Sequence, residues 1–279
     1  MRLTHEDVLN ILPDRNPESH KGDYGKILLL CGSRGFTGAA ALAAMGALRT
    51  GAGLVYVGVP ESIYAIEAVK LTEAIVFPLP EENGKLSAKA IPEIRNYLKT
   101  MDAVLIGCGL GISVGTMAVL DAVLQEFSGP VVVDADGITM LANCPELQKE
   151  RKFPTIITPH EGEFRRLNMA LEEDRLTGAI QVAKELGCIV LRKGHNTVIT
   201  DGESHYINPT GNPGMAVGGS GDVLAGILVS LLGQGIDPLK AAACAAWIHG
   251  AAGDRCAEQM GQYGMLPTDM LTQIPNLLK

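Results

Sequence analysis

Residues 27–49 read ILLLCGSRGFTGAAALAAMGALR: a short apolar run (27–31), a loop carrying Gly32, Gly35 and Gly38, and an alanine-rich stretch of helical length. Buried strand, glycine loop and helix in that order make one βα unit. The unit recurs outward from this stretch. Apolar runs at 54–59, 103–106, 131–134, 155–158 and 188–191 alternate with segments of helical period near 87–99, 115–126, 174–186, 222–232 and 238–258, and the helix of the first unit covers 39–49. Alternation of this kind implies an α/β protein: a mainly parallel central sheet flanked by helices on both faces, three layers deep. Two short extended runs, 197–200 and 204–207, around Asp201-Gly202 predict a hairpin. No repeat, low-complexity tract or linker breaks the pattern, so residues 1–279 are expected to form a single domain.

Composition narrows the ligand. The 279 residues include 33 glycines, about one in eight against a usual ~7%, and the glycines gather at strand ends, where open α/β sheets bind ligands. With 23 Lys+Arg against 31 Asp+Glu the net charge is -8, which argues against a nucleic-acid or anionic-membrane surface, since either needs clustered cations. The uncharged run 103–120 contains Gly107, Gly109, Gly111 and Gly115 and reads as strand, loop and helix start rather than a membrane span. The N-terminus MRLTHEDVLNILPD has acidic residues where a signal peptide needs an apolar core. Cys31, Cys108, Cys144, Cys188, Cys244 and Cys256 form no CxxC pair and lie mostly in apolar runs. They read as buried thiols in a reducing compartment, and a cytoplasmic location is expected.

Three strand-end segments carry polar chemistry. The first runs Gly211-Asn212-Pro213-Gly214-Met215-Ala216-Val217-Gly218-Gly219-Ser220-Gly221-Asp222 into the apolar helix 223–228. Glycine-rich backbone before a helix aims several unpaired N–H groups at one point, and the helix dipole adds positive charge there, so Gly219, Ser220 and Gly221 form a candidate anion hole. A carboxylate beside a phosphate site is unfavourable unless it has a task, and Asp222 is placed to accept a hydroxyl proton. The plainer alternative is an aspartate N-cap behind a flexible loop. The second segment, Thr158-Pro159-His160-Glu161-Gly162-Glu163-Phe164, puts His160 and Glu163 at a strand end, within reach of a ligand or a hydrated Mg²⁺; acidic residues favouring a helix start are the alternative. The third, Leu191-Arg192-Lys193-Gly194-His195-Asn196-Thr197, offers cations and a hydroxyl to a phosphate or adenosine, or else forms a solvated hairpin edge.

Other signatures are missing. The loops Gly107-Cys108-Gly109-Leu110-Gly111 and 32–40 do not complete GxGxxG, and no GxxxxGK[ST], GxSxG or HExxH occurs, which leaves a Rossmann dehydrogenase, a P-loop enzyme, a serine hydrolase and a zincin without support. His249, beside the only tryptophan in AAACAAWIHGAAG, reads as a packed helix residue, and Met140 and Met265 as core filling.

GNPGMAVGGSGDVLAGI resembles the glycine-rich anion-hole signature of the ribokinase-like superfamily. Together with SHKGDYGKILLLCGS, GCGLG, DADG, TPHEGEF and KGHNTVI, in order from about residue 19 to about 250, the chain resembles the ADP-dependent NAD(P)H-hydrate dehydratases. That resemblance implies a ribokinase-like fold and repair of the hydrated S-form of NADH or NADPH. The ring hydroxyl would be phosphorylated by ADP, with Mg²⁺, and phosphate then eliminated. It implies that Ala40, Gly109, His160 and Asp222 contact the hydrated dinucleotide. Lys193, Gly194, His195, Asn196, Thr197 and Gly221 would hold the adenine nucleotide, Asp222 would be catalytic, and Glu163 would organise Mg²⁺. It further implies a homotetramer and, since the run before Ser19 is short, an NAD(P)H-hydrate epimerase on a separate chain. Departures are small: Ser220 stands where members commonly have Thr and keeps the hydroxyl, and Gly137 stands where they have Ala. His160 occupies a position that is often Asn in the kinase relatives, which favours the dehydratase. Two rivals remain at this stage, a vitamin-precursor kinase of the same superfamily and a non-catalytic adenine-nucleotide sensor.

Overall fold

Strand β1 (Lys26–Leu30) pairs in parallel with β2 (Leu54–Pro60) on one side and β6 (Ala103–Ile106) on the other, Ile27 lying opposite Val55 and Ala103. The computed structural model describes residues 1–167 and 174–279. Its remaining strands are β3 (Ile75–Leu79), β4 (Glu81–Glu82), β5 (Lys85–Leu86), β7 (Val131–Val133), β8 (Thr155–Ile157), β9 (Ile189–Arg192), β10 (Thr197–Thr200) and β11 (His205–Asn208). The main sheet has the order β11-β10-β9-β8-β7-β6-β1-β2-β3 and is parallel from β3 through β9. Strands β10 and β11 continue it as an antiparallel hairpin. The chain winds outward from β1 through β2 to β3, then returns to β6 on the other side of β1. Strand order therefore reverses between β1 and β6, and the loops that follow these two strands are tied together there, the Gly32 amide donating to the Cys108 carbonyl at 2.8 Å and Ser33 Oγ to the Gly109 carbonyl at 2.8 Å.

Alternation along the strands sorts the core into two layers. Ile27 and Leu29 of β1 point into one cluster and Leu28 and Leu30 into the other. The first cluster is closed by α2 (Thr37–Arg49), α10 (Ser220–Gly233), α11 (Pro238–Met260) and α12 (Pro267–Leu277), with Val8 of α1 (His5–Ile11) and Ile63 of α3 (Glu61–Lys70). The second is closed by α4 (Ile91–Leu98), α5 (Val114–Glu126), α6 (Asp136–Asn143), α8 (Glu161–Leu167) and α9 (Arg175–Leu186). The short α7 (Glu146–Lys149) lies beside α5 and α9. The three-layer α/β/α expectation is met.

Boundaries follow local chemistry. Ser113 and Thr116 form a reciprocal cap on α5, Asp174 caps α9, and α9 stops at Gly187, whose φ of 62° suits glycine. The helix expected over 87–99 divides into a 3₁₀ turn (Ala88–Ala90) and α4, because Pro92 sits naturally in the first turn of a helix and poorly in its interior. Strand β3, helices α1, α3, α6, α7 and α12 and the β4–β5 hairpin are additional to the expected elements; the hairpin turns on Asn83 and Gly84, both at positive φ. Helix α11 is internal: twelve of its residues are buried, and Trp247 stacks on His5 of the same chain at 5.2 Å between ring centroids. Five of the six cysteines are buried, and Cys144 is half-buried. Among the described residues no helix is long and apolar enough to cross a membrane.

Helices α2 and α10 meet backbone to backbone. A Cβ on Gly226 would collide with the carbonyl of Ala43, and one on Gly46 with the carbonyl of Val223. Gly226→Ala is therefore expected to lower stability by about 2 kcal/mol or more, whereas Gly38→Ala, in the first turn of α2 with open space around it, is expected to be neutral or to stabilise by roughly 0.5 kcal/mol. Urea denaturation of both variants checks the contrast.

Candidate active site

Beyond the carboxyl ends of β7, β8 and β9 lies a cavity of about 780 Å³, closed above by the loop 208–219 and behind by Ala246, His249 and Gly250 of α11. Asp254 of α11 shapes the loop by accepting from the Gly211 amide at 2.9 Å and the Asn212 side chain at 3.0 Å, and Asn212 in turn accepts from the Gly214 amide. Helix α10 starts on Gly219 at φ 97°, a left-handed conformation that glycine adopts freely. Among the described residues the amides of Gly219, Gly221 and Asp222 have no protein acceptor, while that of Ser220 makes a long 3.3 Å bond to the Val217 carbonyl. The hydroxyl of Ser220 and three free amides thus sit together on the cavity wall at the positive end of a helix.

Next to that hole stands a knot of charge. Asp134, buried at the end of β7, accepts from Lys193 Nζ at 3.0 Å, Thr158 Oγ1 at 2.5 Å and Cys108 Sγ at 3.3 Å. Glu163 caps the start of α8 by accepting from the His160 amide at 2.9 Å and lies 3.9 Å from Lys193. Burial pulls the Lys193 ammonium down, but Asp134 and Glu163 outweigh it and hold the group charged well into the alkaline range. Asp222 goes the other way: burial first, then the like charge of Asp134, push its carboxyl up to about 7. One ligand atom each from Cys108, Asp134 and Asp222 lies within 4.8 Å of the others. The lining includes four carboxylates, Asp134, Glu161, Glu163 and Asp222, against a single lysine. Hard oxygen donors in this number suit a magnesium ion, and the Cys108 thiol, pushed far up by its contact with Cys31 and by burial, stays protonated beside them.

The family described as NAD(P)H-hydrate dehydratase matches residues 27–276. The chain belongs to the NAD(P)H-hydrate dehydratase family. A bifunctional NAD(P)H-hydrate repair enzyme of Moorella thermoacetica is 44% identical over 275 residues, covering 96% of this chain and 52% of that protein. The chain spans about half the length of the curated relatives it matches. Those relatives are named bifunctional, which leaves the expectation of a repair partner on a separate chain without support. An ADP/ATP-dependent NAD(P)H-hydrate dehydratase from Bacillus subtilis, co-crystallised with ATP and Mg²⁺, superposes with a TM-score of 0.85 at 31% identity, covering 98% of this chain and 96% of that one. A ribokinase-like superfamily protein from Enterococcus faecalis superposes at 0.87 with 27% identity, covering 99% and 94%.

In this NAD(P)H-hydrate dehydratase-family site, His160, Glu163, Lys193, Gly194, His195, Thr197, Gly219, Ser220, Gly221 and Asp222 all line the one cavity. Asn196, at φ 54° on the β9–β10 turn, does not line it. Ala40 and Gly109 do not line it either and lie beyond the ends of β1 and β6. Ala40 is fully buried beneath Gly32, and Gly109 accepts from Ser33 Oγ at 2.8 Å. Glu161 anchors the nucleotide-side loop: Arg192 grips it at 2.9 and 3.0 Å and Arg175 at 3.1 Å, while Arg175 also donates to the Lys193 carbonyl. Asp134, Thr158, Cys108 and His249 were not assigned roles from sequence. Asp134 lay in the quoted DADG motif and Thr158 and Cys108 directly follow strands, which was their signal. His249 offered none: it is not only packed in α11 but lines the cavity, with its ring 2.8 Å from the Ser220 carbonyl.

The raised Asp222 pKa makes a stability statement. Near pH 3.8 the unfolded chain begins to lose a proton that the folded chain keeps until about 7, so the group's contribution to stability falls as pH rises through that window. Asp222→Asn should therefore be more stable than wild type by on the order of 3 kcal/mol at about pH 8, with the gap closing toward about pH 4, as read by denaturation across pH.

Proposed function

We propose that the protein dehydrates the S-form of hydrated NADH or NADPH, spending ADP and releasing NAD(P)H, AMP and phosphate. The observation that carries this reading is Asp222, a carboxylate raised to about 7 and standing beside three free amides at the start of α10. A hydroxyl is a poor leaving group at neutral pH and phosphate a good one. Transfer of the terminal phosphoryl group of ADP to the ring hydroxyl, followed by loss of phosphate and of a proton from the neighbouring carbon, re-forms the ring double bond. Asp222 takes the hydroxyl proton as the phosphoryl group arrives, and a base poised near neutrality is suited to that transfer. The amides of Gly219, Gly221 and Asp222 and the Ser220 hydroxyl receive the charge that develops on the phosphoryl oxygens.

Ligand placement follows the lining of the cavity. Lys193, Gly194, His195, Asn196 and Thr197, with Gly221, hold the adenine nucleotide. His160 and Asp222 hold the hydrated dinucleotide, with Gly109 and the buried Ala40 backing that side of the site from the ends of β6 and β1. Glu163 and Asp134 would hold magnesium, which would supply the positive charge that a polyphosphate needs beside Asp134, Glu163 and Asp222. The Bacillus subtilis relative is described as ADP/ATP-dependent; ADP is the donor proposed for this chain.

Incubation with hydrated NADH, Mg²⁺ and ADP is expected to restore reduced-nicotinamide absorbance with equimolar free phosphate. Phosphate retained on an organic product would instead indicate a kinase. Asp222→Asn is expected to lower turnover by about 10³-fold with ADP affinity little changed, and wild-type kcat/KM is expected to rise with pH through about 7.

A further inference from the structure

His249 reaches from the middle of α11 to the first residue of α10. Its Nε2 lies 2.8 Å from the Ser220 carbonyl and 3.3 Å from Ser220 Oγ. A carbonyl only accepts, so an unprotonated Nε2 would face it lone pair to lone pair at that distance. The ring is therefore the Nε2–H tautomer, donating to the carbonyl. The Ser220 hydroxyl then has no acceptor on the ring, and its proton is left for the cavity. The helix behind His249 is itself tied down: Asn208 Nδ2 donates to the Ala246 carbonyl at 2.9 Å and Thr210 Oγ1 to the Trp247 carbonyl at 3.2 Å. Gly250 makes room for this, since a Cβ there would strike Thr210.

We propose that His249 is a positioning residue for phosphoryl transfer: by holding the Ser220 carbonyl it fixes the first turn of α10, aims the free amides of Gly221 and Asp222, and reserves the Ser220 hydroxyl for a phosphoryl oxygen. The inference rests on the dehydratase reading above. Burial also pushes the imidazole down to about 4, so the ring brings no charge of its own to the hole near neutral pH. Its contribution is directional. Loss should therefore affect the step in which charge develops on the phosphoryl group more than the binding of either ligand.

The test compares His249→Leu, which has no donor, with His249→Gln, whose amide reaches nearly as far as Nε2. Wild-type turnover of hydrated NADH with ADP is measured first, and its absence counts against the dehydratase reading rather than against His249. Given turnover, His249→Leu is expected to lower kcat by about 30-fold with KM for ADP changed less than about threefold, and His249→Gln to recover most of the loss. Amide exchange at Val223 and Leu224 supplies a readout independent of activity and is expected to quicken at least about fivefold in the Leu variant at unchanged global stability. Wild-type kcat in His249→Leu, an equal loss in the Gln and Leu variants, or unchanged exchange at those two amides would each overturn the proposal.

Discussion

Everything at the candidate site depends on how closely α10 approaches α2. The contact is made by main chain, with Gly226 against Ala43 and Gly46 against Val223, and it leaves α10 buried on nearly every side from Val223 to Gly233. A helix so enclosed cannot slide or rotate without opening voids, and interiors at crystal-like density resist that. Its first turn is therefore placed with the accuracy of the core rather than that of a loop. This matters because a fixed donor or proton acceptor loses much of its effect when displaced by as little as an ångström.

From that placement follows the electrostatic character of the cavity. Asp222 is carried to within contact distance of Cys108 and Asp134, at the ends of β6 and β7. Asp134 accepts hydrogen bonds from Lys193, Thr158 and Cys108 together. Asp222 receives no such set of partners and carries the repulsion. Two carboxylates a few ångströms apart thereby take different roles, one holding its hydrogen-bond donors in place and one a proton acceptor near neutrality. An acidic chain can still receive polyphosphates here because the receiving groups are amides and a hydroxyl, with a divalent cation to balance the carboxylates.

The sheet was legible in the sequence because strands buried on both faces leave continuous apolar runs, and 27–31, 103–106 and 155–158 proved to be strands to within a residue of their expected ends. Loops after those strands were legible as sites because glycine clusters there for conformational reasons. Lys193 and Asp134 were harder to read: their pairing joins residues 59 positions apart, and nothing local in either segment announces the other. Cys108 sat in a glycine loop after a strand, but nothing local marked its thiol as a partner of Asp134, 26 positions away. His249 was hidden for the same reason that α11 was legible, since the unbroken buried run 241–248 gives no periodic cue to which polar side chain beside it faces a cavity. Helix α3 and the β4–β5 hairpin escaped because their elements are short or mixed in composition.

The close seat of α10 on α2 also governs the order in which the protein can become itself during synthesis. Strands β1 to β9 and their outer helices on one face leave the ribosome well before residue 220, yet Ile27, Leu29, Val55 and Val57 on the other face remain only partly covered until α10, α11 and α12 arrive. A nascent chain of that length exposes a broad aliphatic sheet face, the kind of surface that chaperones bind and that aggregates when left unattended. The same helix, α10, both covers that face and carries the proton acceptor with its free amides, so the site cannot exist before the face is closed.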